Sequence, residues 1–155
     1  MPKFAYIGVP TAVGGIGTTD LGGIVFLGTS LRALVYELTI TFSNVPRNGA
    51  LRGILRRGET ANSAASGTVT ALDSADSVLA SPVLAPTYTE SVSTILDFAI
   101  NENSTYTWQA MDDDQRVVLP QDPDGDNDTL ITAGCITTLA NAGLLAVSDF
   151  KFETT

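Results

Sequence analysis

The stretch Leu34–Phe42, with the sequence LVYELTITF, decides the fold class of this chain. Its apolar and polar side chains alternate, and it is rich in β-branched and aromatic residues. A period of two is typical of a half-buried β-strand, because successive side chains of a strand point to opposite faces of a sheet. The face predicted to point into the core consists of Leu34, Tyr36, Leu38, Ile40 and Phe42.

Similar short segments, separated by turn-forming residues, follow along the chain. Val92–Ile100 and Thr105–Met111 are predicted to form a hairpin, and Ala50–Arg57 is a strand or, alternatively, a short helix. No long segment has the 3.6-residue period of a helix, so we expect an antiparallel sandwich or barrel of about eight short strands. The other predicted strands or extended segments are Gly67–Leu72, Leu79–Thr89, Arg116–Leu119, Leu130–Leu139 and Leu144–Glu153.

The first thirty residues differ from the rest in their glycine content. Gly14-Gly15, Gly17 and Gly22-Gly23 interrupt two short apolar pieces. Because glycine is conformationally permissive and weakens regular elements, we predict that residues 1–30 form an extended arm. Residues 31–155 are then expected to form a single β-sandwich domain.

The composition excludes most familiar catalytic chemistry. The chain has no histidine, one cysteine and two lysines, so no Ser–His–Asp or Cys–His site can form. The lysines, Lys3 and Lys151, lie near the termini, where a Ser–Lys pair is not expected. Carboxylates are plentiful enough for a glycosidase pair, but the aromatic residues that would line its cleft are mostly assigned to strand interiors. We therefore expect a protein that is not an enzyme.

A net charge of −9 and a pI near 4.1 restrict the kinds of partner that the chain can bind. Nucleic acid and anionic membranes both require a basic footprint, so neither is expected as a partner. The sequence has no apolar run long enough for a transmembrane helix and no recognisable signal peptide. Cys135 lies in an apolar stretch, which predicts a buried structural thiol.

Alternating aspartates after the predicted strand Arg116–Leu119 are the one local metal-binding signal. Several carboxylate oxygens on one turn suit calcium, although the spacing is not that of an EF-hand loop. Asp112–Asp114 could complete such a site, and a solvated acidic turn is the alternative. The candidate calcium ligands are Asp122, Asp124, Asp126 and Asp128.

Half of the basic residues lie within eleven positions, at Arg47, Arg52, Arg56 and Arg57. The forked guanidinium donors of arginine suit ion pairs between subunits, so these residues are candidates for an interface with an acidic neighbour. A charged strand edge that discourages aggregation is the alternative interpretation. Trp108 and Tyr106 are predicted to be core residues, with a ligand-stacking surface as the alternative.

The overall layout resembles the capsid-decoration, or cement, proteins of tailed bacteriophages and, less closely, other jelly-roll virion accessory proteins. The resemblance is carried by the Met1–Ser30 arm, the strand series from Leu34 to Phe152 and the Val92–Met111 hairpin with its TYTWQA strand. It implies a jelly-roll-like sandwich, made in the host cytoplasm, whose copies sit as homotrimers on the capsid exterior. It also implies binding to the major capsid protein and an arm that orders on the lattice.

Two alternatives belong to other functional classes. One is a carbohydrate- or receptor-binding module, such as a fibre or adhesin head, that uses Trp108, Tyr88 or the acidic loops with calcium. The other is a jelly-roll capsid subunit. A capsid subunit that encloses nucleic acid usually brings a basic arm, and Lys3 is the only basic residue among the first thirty.

Overall fold

The computed structural model describes residues 1–13, 15–26, 32–43, 50–58, 62–64, 68–76, 80–87, 93–101, 103–119, 130–137 and 144–155. These residues form thirteen β-strands and one 3-10 helix. The strands are β1 (Lys3–Ile7), β2 (Thr11–Ala12), β3 (Gly17–Phe26), β4 (Ala33–Ser43), β5 (Ala50–Gly58), β6 (Asn62–Ala64), β7 (Thr68–Ala71), β8 (Ala80–Thr87), β9 (Ser93–Asn101), β10 (Thr105–Gln109), β11 (Val117–Leu119), β12 (Leu130–Thr137) and β13 (Leu145–Thr154), and the helix η1 is Asp113–Gln115.

The strands form two antiparallel sheets that pack together, which confirms the predicted all-β sandwich. The first sheet has the order β10-β4-β13-β1-β7, with β11 also pairing with β4 and β2 with β13. The second sheet has the order β6-β8-β3-β12-β5-β9. Ala50–Arg57 lies in β5, so the strand prediction for that segment is correct and the helix alternative is wrong.

Eight of these strands have the connectivity of a jelly roll. In chain order they are β1, β3, β4, β5, β9, β10, β12 and β13. Four form the block β10-β4-β13-β1 in one sheet, and the other four form β3-β12-β5-β9 in the second. This arrangement of two Greek keys is the jelly-roll strand order. The remaining strands have two to four residues, except the eight-residue β8, which lies between β6 and β3 and extends the second sheet.

Alternating side chains of β13, which overlaps the predicted strand Leu144–Glu153, build the centre of the core. Phe150 and Phe152 are 1% and 0% exposed and point between the sheets. Each packs beside an aromatic residue of β1, with ring centroids 5.4 Å apart for Phe4 and Phe152 and 5.5 Å apart for Tyr6 and Phe150. Pairs of this kind stabilise a sheet beyond the apolar area that they bury.

The predicted N-terminal arm is wrong, because Lys3–Ile7 and Gly17–Phe26 are strands of the two sheets. β1 pairs with β13 on one side and β7 on the other, and β3 lies between β12 and β8. Phe4, Tyr6 and Leu21 are essentially fully buried. The glycines misled the prediction, because Gly22, at φ 131°, accompanies a bulge in β3 where the register against β12 shifts. A glycine inside a strand can mark a bulge, as it does here, and not only a loop.

The decisive stretch Leu34–Phe42 is a strand, but its inward face changes at a second bulge. The register shifts so that Glu37 lies opposite Lys151 while Val35 lies opposite Phe152. Leu38, Ile40 and Phe42 point into the core as predicted, whereas Val35 is buried in place of Leu34 and Tyr36. The prediction for these two residues is wrong, because an extra residue in one strand inverts the alternation beyond it.

The predicted Val92–Met111 hairpin is also wrong. β9 pairs with β5 in the second sheet, whereas β10 pairs with β4 in the first. The short connection between them passes from one sheet to the other and contains Asn103 in the left-handed region, at φ 59°. Asparagine tolerates that conformation better than most residues. The two strands therefore face each other across the open side of the sandwich.

Candidate functional site

Arg52 and Arg56, two of the predicted interface arginines, form ion pairs within the chain. Arg52 is exposed on β5 and donates from Nε to Asp97 Oδ1 of β9 at 3.1 Å, which holds the pKa of Asp97 below its ordinary value of 3.8. Arg56 reaches across β12 and pairs with Asp20 of β3, where both side chains are largely buried. Arg47 lies outside the described residues. A role for these arginines at a subunit interface stays a prediction.

Arg57, the remaining member of the predicted interface, links the two sheets. Its Nη2 donates to the carbonyl oxygen of Val118 on β11 of the first sheet. Its backbone lies in register with Ile131 on β12 of the second sheet. Arg57 is thus placed where the chain leaves β11 and where it enters β12, at both ends of the aspartate-rich segment 120–129.

The four aspartates predicted to bind calcium lie outside the described residues, so that site stays a prediction. They are Asp122, Asp124, Asp126 and Asp128. Within the described ranges, no group of three or more His, Cys, Asp or Glu side chains could hold a metal ion. Two nearby acids have local partners: Asp112 accepts a hydrogen bond from the Gln115 amide at 3.1 Å, and Asp113 pairs with Arg116 at 2.6 Å.

An open cleft of about 550 Å³ lies along the side of the sandwich where β9 faces β10 and β11. Its walls combine apolar side chains of both sheets with two guanidinium groups and one amide. The lining residues are Arg57, Ile95, Leu96, Trp108, Gln115, Arg116, Val117 and Val118. A concave surface of this composition can take a small ligand that has both an apolar face and hydrogen-bonding groups.

The guanidinium of Arg116 is held firmly at the cleft wall. Its Nη1 lies 2.7 Å from Oε2 of Glu153, a residue that is only 5% exposed, and its Nη2 lies 2.6 Å from Asp113. Trp108 and Tyr106 are partly buried and pack against the core, which agrees with their predicted position. Trp108 also lines the cleft, so the stacking alternative stays open for this one residue.

The outer surface of the first sheet is a Thr-rich face. On it the hydroxyls of Thr39 and Thr107 lie 3.2 Å apart, and those of Thr41 and Thr105 lie 3.1 Å apart. Each pair joins β4 to β10, so the hydroxyl groups are held by their neighbours. The threonines of this face are Thr39, Thr41, Thr68, Thr70, Thr105 and Thr107. Sequence patterning revealed none of this array, because only the strand order places β10, β4 and β7 in the same sheet.

A charged network crosses the same face. Glu37 accepts a hydrogen bond from Gln109 of β10 at 2.7 Å and pairs with Lys151 of β13 at 2.7 Å. Burial raises the pKa of Glu37, but the hydrogen bonds from Lys151 and Gln109 outweigh it, and the pKa falls below its ordinary value of 4.5. The network connects three adjacent strands and borders a groove of about 310 Å³ between β1 and β4.

Cys135 is buried, as the sequence predicts. Burial, with a smaller contribution from the charge of Asp20, raises the pKa of its thiol to about 12. A thiol in this state has almost no nucleophilic thiolate near neutral pH. Cys135 therefore acts as a small apolar core residue of β12.

Comparison with protein-family models found no match to this chain, and a search of curated proteins likewise found none. Among the described residues, no helix has the length and apolar character needed to cross a bilayer. The geometry of the described residues therefore carries the functional proposal.

Proposed function

We propose that this chain is a structural virion protein, and specifically a capsid decoration protein that binds the assembled head lattice and stabilises it. The strand order of the two sheets carries the proposal, because it is that of a jelly roll, an architecture frequent among viral capsid proteins. Jelly rolls also occur in lectins, which is why the chemistry of the surface matters for the choice between them.

The side chains available support a contact function over a catalytic one. The chain lacks histidine, and its only thiol is buried with a raised pKa. The arginines Arg52, Arg56 and Arg116 have carboxylate partners. Charge is thus used largely to hold neighbouring strands and loops together.

The Thr-rich face is the surface that we propose for contact with the lattice. Its hydroxyl pairs and the Glu37 network fix the side chains before binding, which lowers the conformational entropy lost when the face is covered. Exposed apolar groups border it, including Ile7, which is 53% exposed. A rigid surface on which the charges of Glu37 and Lys151 are paired with each other suits repeated modest contacts with neighbouring capsid subunits.

Because β1 and β3 are strands of the two sheets, the proposal assigns the contact to the folded surface and not to an arm. Selective binding to the assembled lattice stabilises that lattice by mass action. Many copies with modest individual affinity add up when they engage a repeating surface through more than one contact. The acidic net charge of −9 suits the exterior of a capsid better than its nucleic-acid side.

Co-sedimentation with capsids of the virus that carries this sequence tests the proposal. We expect the wild-type protein to pellet with assembled shells and not with unassembled major capsid protein. Thr39→Arg places a charge at the Thr-rich face and should weaken binding by about tenfold or more, because an unpaired buried charge is costly at an interface. Ser93→Arg adds the same charge at an exposed position of β9 and should bind normally.

The particle mass separates decoration from a capsid-subunit role. A decoration protein expressed alone forms monomers or small oligomers, whereas a capsid subunit assembles into shells or large fragments of shells. Closed particles formed by this chain alone would replace the decoration proposal with the jelly-roll capsid alternative.

The cleft favours one second candidate, a carbohydrate-binding module. Trp108 presents an aromatic surface there beside Gln115 and Arg57, and sugars commonly combine ring stacking with hydrogen bonds to such groups. On a glycan array this candidate predicts binding that Trp108→Ala abolishes. Binding that also disappears on chelation would add the acidic loops and calcium to the site.

A further inference from the structure

The strand β10 lies at the edge of the first sheet among the described strands. It pairs with β4 in an unbroken register from Thr105 opposite Thr41 to Gln109 opposite Glu37. Two backbone hydrogen bonds flank this register, from Phe42 N to Ser104 O and from Ala110 N to Tyr36 O, and each is 2.9 Å long. They show which residues of β10 point their backbone groups toward β4.

These bonds direct the backbone groups of the even-numbered residues of β10 toward β4. The N–H and C=O groups of Thr105, Thr107 and Gln109 consequently point away from the sheet. In the part of the chain that the structure describes, no strand pairs with that side.

This edge lacks the features that usually prevent strands from pairing between molecules. β10 has the sequence TYTWQ, with no charge, no proline, no glycine and no bulge. The edge strand β9 instead carries Asp97 and a register shift, and at the other edge of that sheet β8, next to the three-residue β6, carries two prolines. Side-chain hydrogen bonds further fix β10 to β4.

We propose that a second copy of this chain pairs antiparallel with β10 about a two-fold axis at Thr107. In that register Thr107 lies opposite its own copy, and Thr105 lies opposite Gln109. Since these are the residues whose backbone groups point outward, every free group within the strand finds a partner. This contact is independent of the proposed virion function and of where the lattice binds.

The side chains of β10 are compatible with this register and with a second copy as the occupant. Tyr106 comes to lie opposite Trp108 of the other copy, an aromatic cross-strand pair, and no like charges meet. Pairing β9 with itself about its central residue would instead oppose two Asp97 carboxylates. Just beyond β10, Met111 is 91% exposed in the single chain, and a second copy would cover part of it. The resemblance to decoration proteins implies trimers, whereas this edge supports a two-fold contact.

Sedimentation velocity over a range of protein concentrations tests the pairing. We expect wild-type protein to form dimers, and Thr107→Lys to weaken self-association by about tenfold or more because two lysines then meet at the axis. Thr70→Lys, which places the same charge on the opposite edge strand β7, should leave the dimer intact. Thr107→Asp should also be monomeric, and an equimolar mixture of the Lys and Asp variants should recover the dimer.

Amide hydrogen exchange on the wild-type protein gives a second test that needs no variant. The amides of Thr105, Thr107 and Gln109 should gain protection as the protein concentration rises, while exposed loop amides such as Ala75 do not. A wild-type chain that stays monomeric at high concentration would overturn the proposal. The proposal would also be overturned if the Lys and Asp variants at position 107 formed the same assembly as the wild type, each alone as well as mixed.

Discussion

Gly53 of β5 and Phe98 of β9 lie directly opposite each other, and the Phe98 ring covers the glycine. A methyl carbon added at Gly53 would lie 2.5 Å from Cζ of Phe98 and closer still to Cε2. The same ring stacks on Tyr106 of β10, with centroids 3.8 Å apart and an interplanar angle of 14°. Phe98 thus joins a cross-strand contact within one sheet to an aromatic contact between the two sheets.

Gly53→Ala should lower the free energy of unfolding by about 1–3 kcal/mol, because the added methyl group displaces the Phe98 ring. In the background of Phe98→Ala the same substitution should cost much less, with a coupling of roughly 1 kcal/mol. Gly15→Ala is the control, since a methyl carbon added at Gly15 would have no other atom within 4 Å. Urea titrations of the wild type, the two single variants and the double variant measure this coupling. If the two changes in unfolding free energy were simply additive, the contact between Gly53 and Phe98 would be absent.

Asp20→Asn should destabilise the fold by about 1–3 kcal/mol, since it removes the carboxylate charge that pairs with Arg56 where the side chains are only 14% and 16% exposed. Asp97→Asn removes the partner of Arg52 at a site where the side chains are 56% and 40% exposed. Its effect should be much smaller, because water screens that pair. Thermal and urea unfolding of both variants compare the two sites, and equal losses would contradict the difference in burial.

The lowered pKa of Glu37 predicts a loss of stability in acid. The ionised carboxylate stabilises the folded state fully above its ordinary pKa of 4.5, and this contribution disappears as the pH falls through the lower folded pKa. Glu37→Gln should therefore flatten the decline in unfolding free energy between about pH 5 and pH 3. Asp114→Asn, at an exposed position of η1, is the control. If Glu37→Gln lost stability between about pH 5 and pH 3 as steeply as the wild type, the hydrogen bonds to Glu37 would not stabilise its ionised carboxylate in the folded state.

Cys135 should resist thiol reagents in the native protein. Its burial and its pKa of about 12 leave almost no accessible thiolate at about pH 8. Labelling by a disulfide reagent should be complete within seconds in denaturant and should proceed in native buffer only as fast as the chain unfolds. Stoichiometric labelling of the native protein within minutes would contradict the position of β12 in the core.

Deletion of residues 1–8 should prevent folding. The deletion removes β1 from between β13 and β7, together with the buried rings of Phe4 and Tyr6. Removal of Met1 alone, which is 68% exposed, should have little effect. Circular dichroism and tryptophan fluorescence compare the two truncations. If the protein folded without residues 1–8, the hypothesis of an N-terminal arm separate from the folded core would be restored.

Local patterns predicted the strands better than their partners. The alternation of Phe150 and Phe152 is visible in the sequence because the side-chain period of a strand is local. Bulges break that period: the insertion near Tyr36 reversed the predicted face of Leu34, and the one at Gly22 made a strand look like an arm. A single extra residue is invisible to a pattern that assumes regular pairing.

The sequence alone did not show which strands pair with each other. β9 and β10 are neighbours in the chain and alternate well, yet they pair with different sheets. The partners of Arg52 and Arg56 follow from strand order, which brings Asp97 and Asp20 within reach from 45 and 36 residues away. The cleft beside Trp108 arises in the same way, from strands of both sheets.

Co-sedimentation of the chain with assembled capsids of the virus proposed to encode it, measured beside unassembled major capsid protein, tests the central proposal most directly. The proposed decoration function predicts saturable binding to the shells, little binding to free subunits, and a large loss of binding for Thr39→Arg. Absence of the wild-type chain from the shell pellet, with the protein folded and the shells intact, would contradict it.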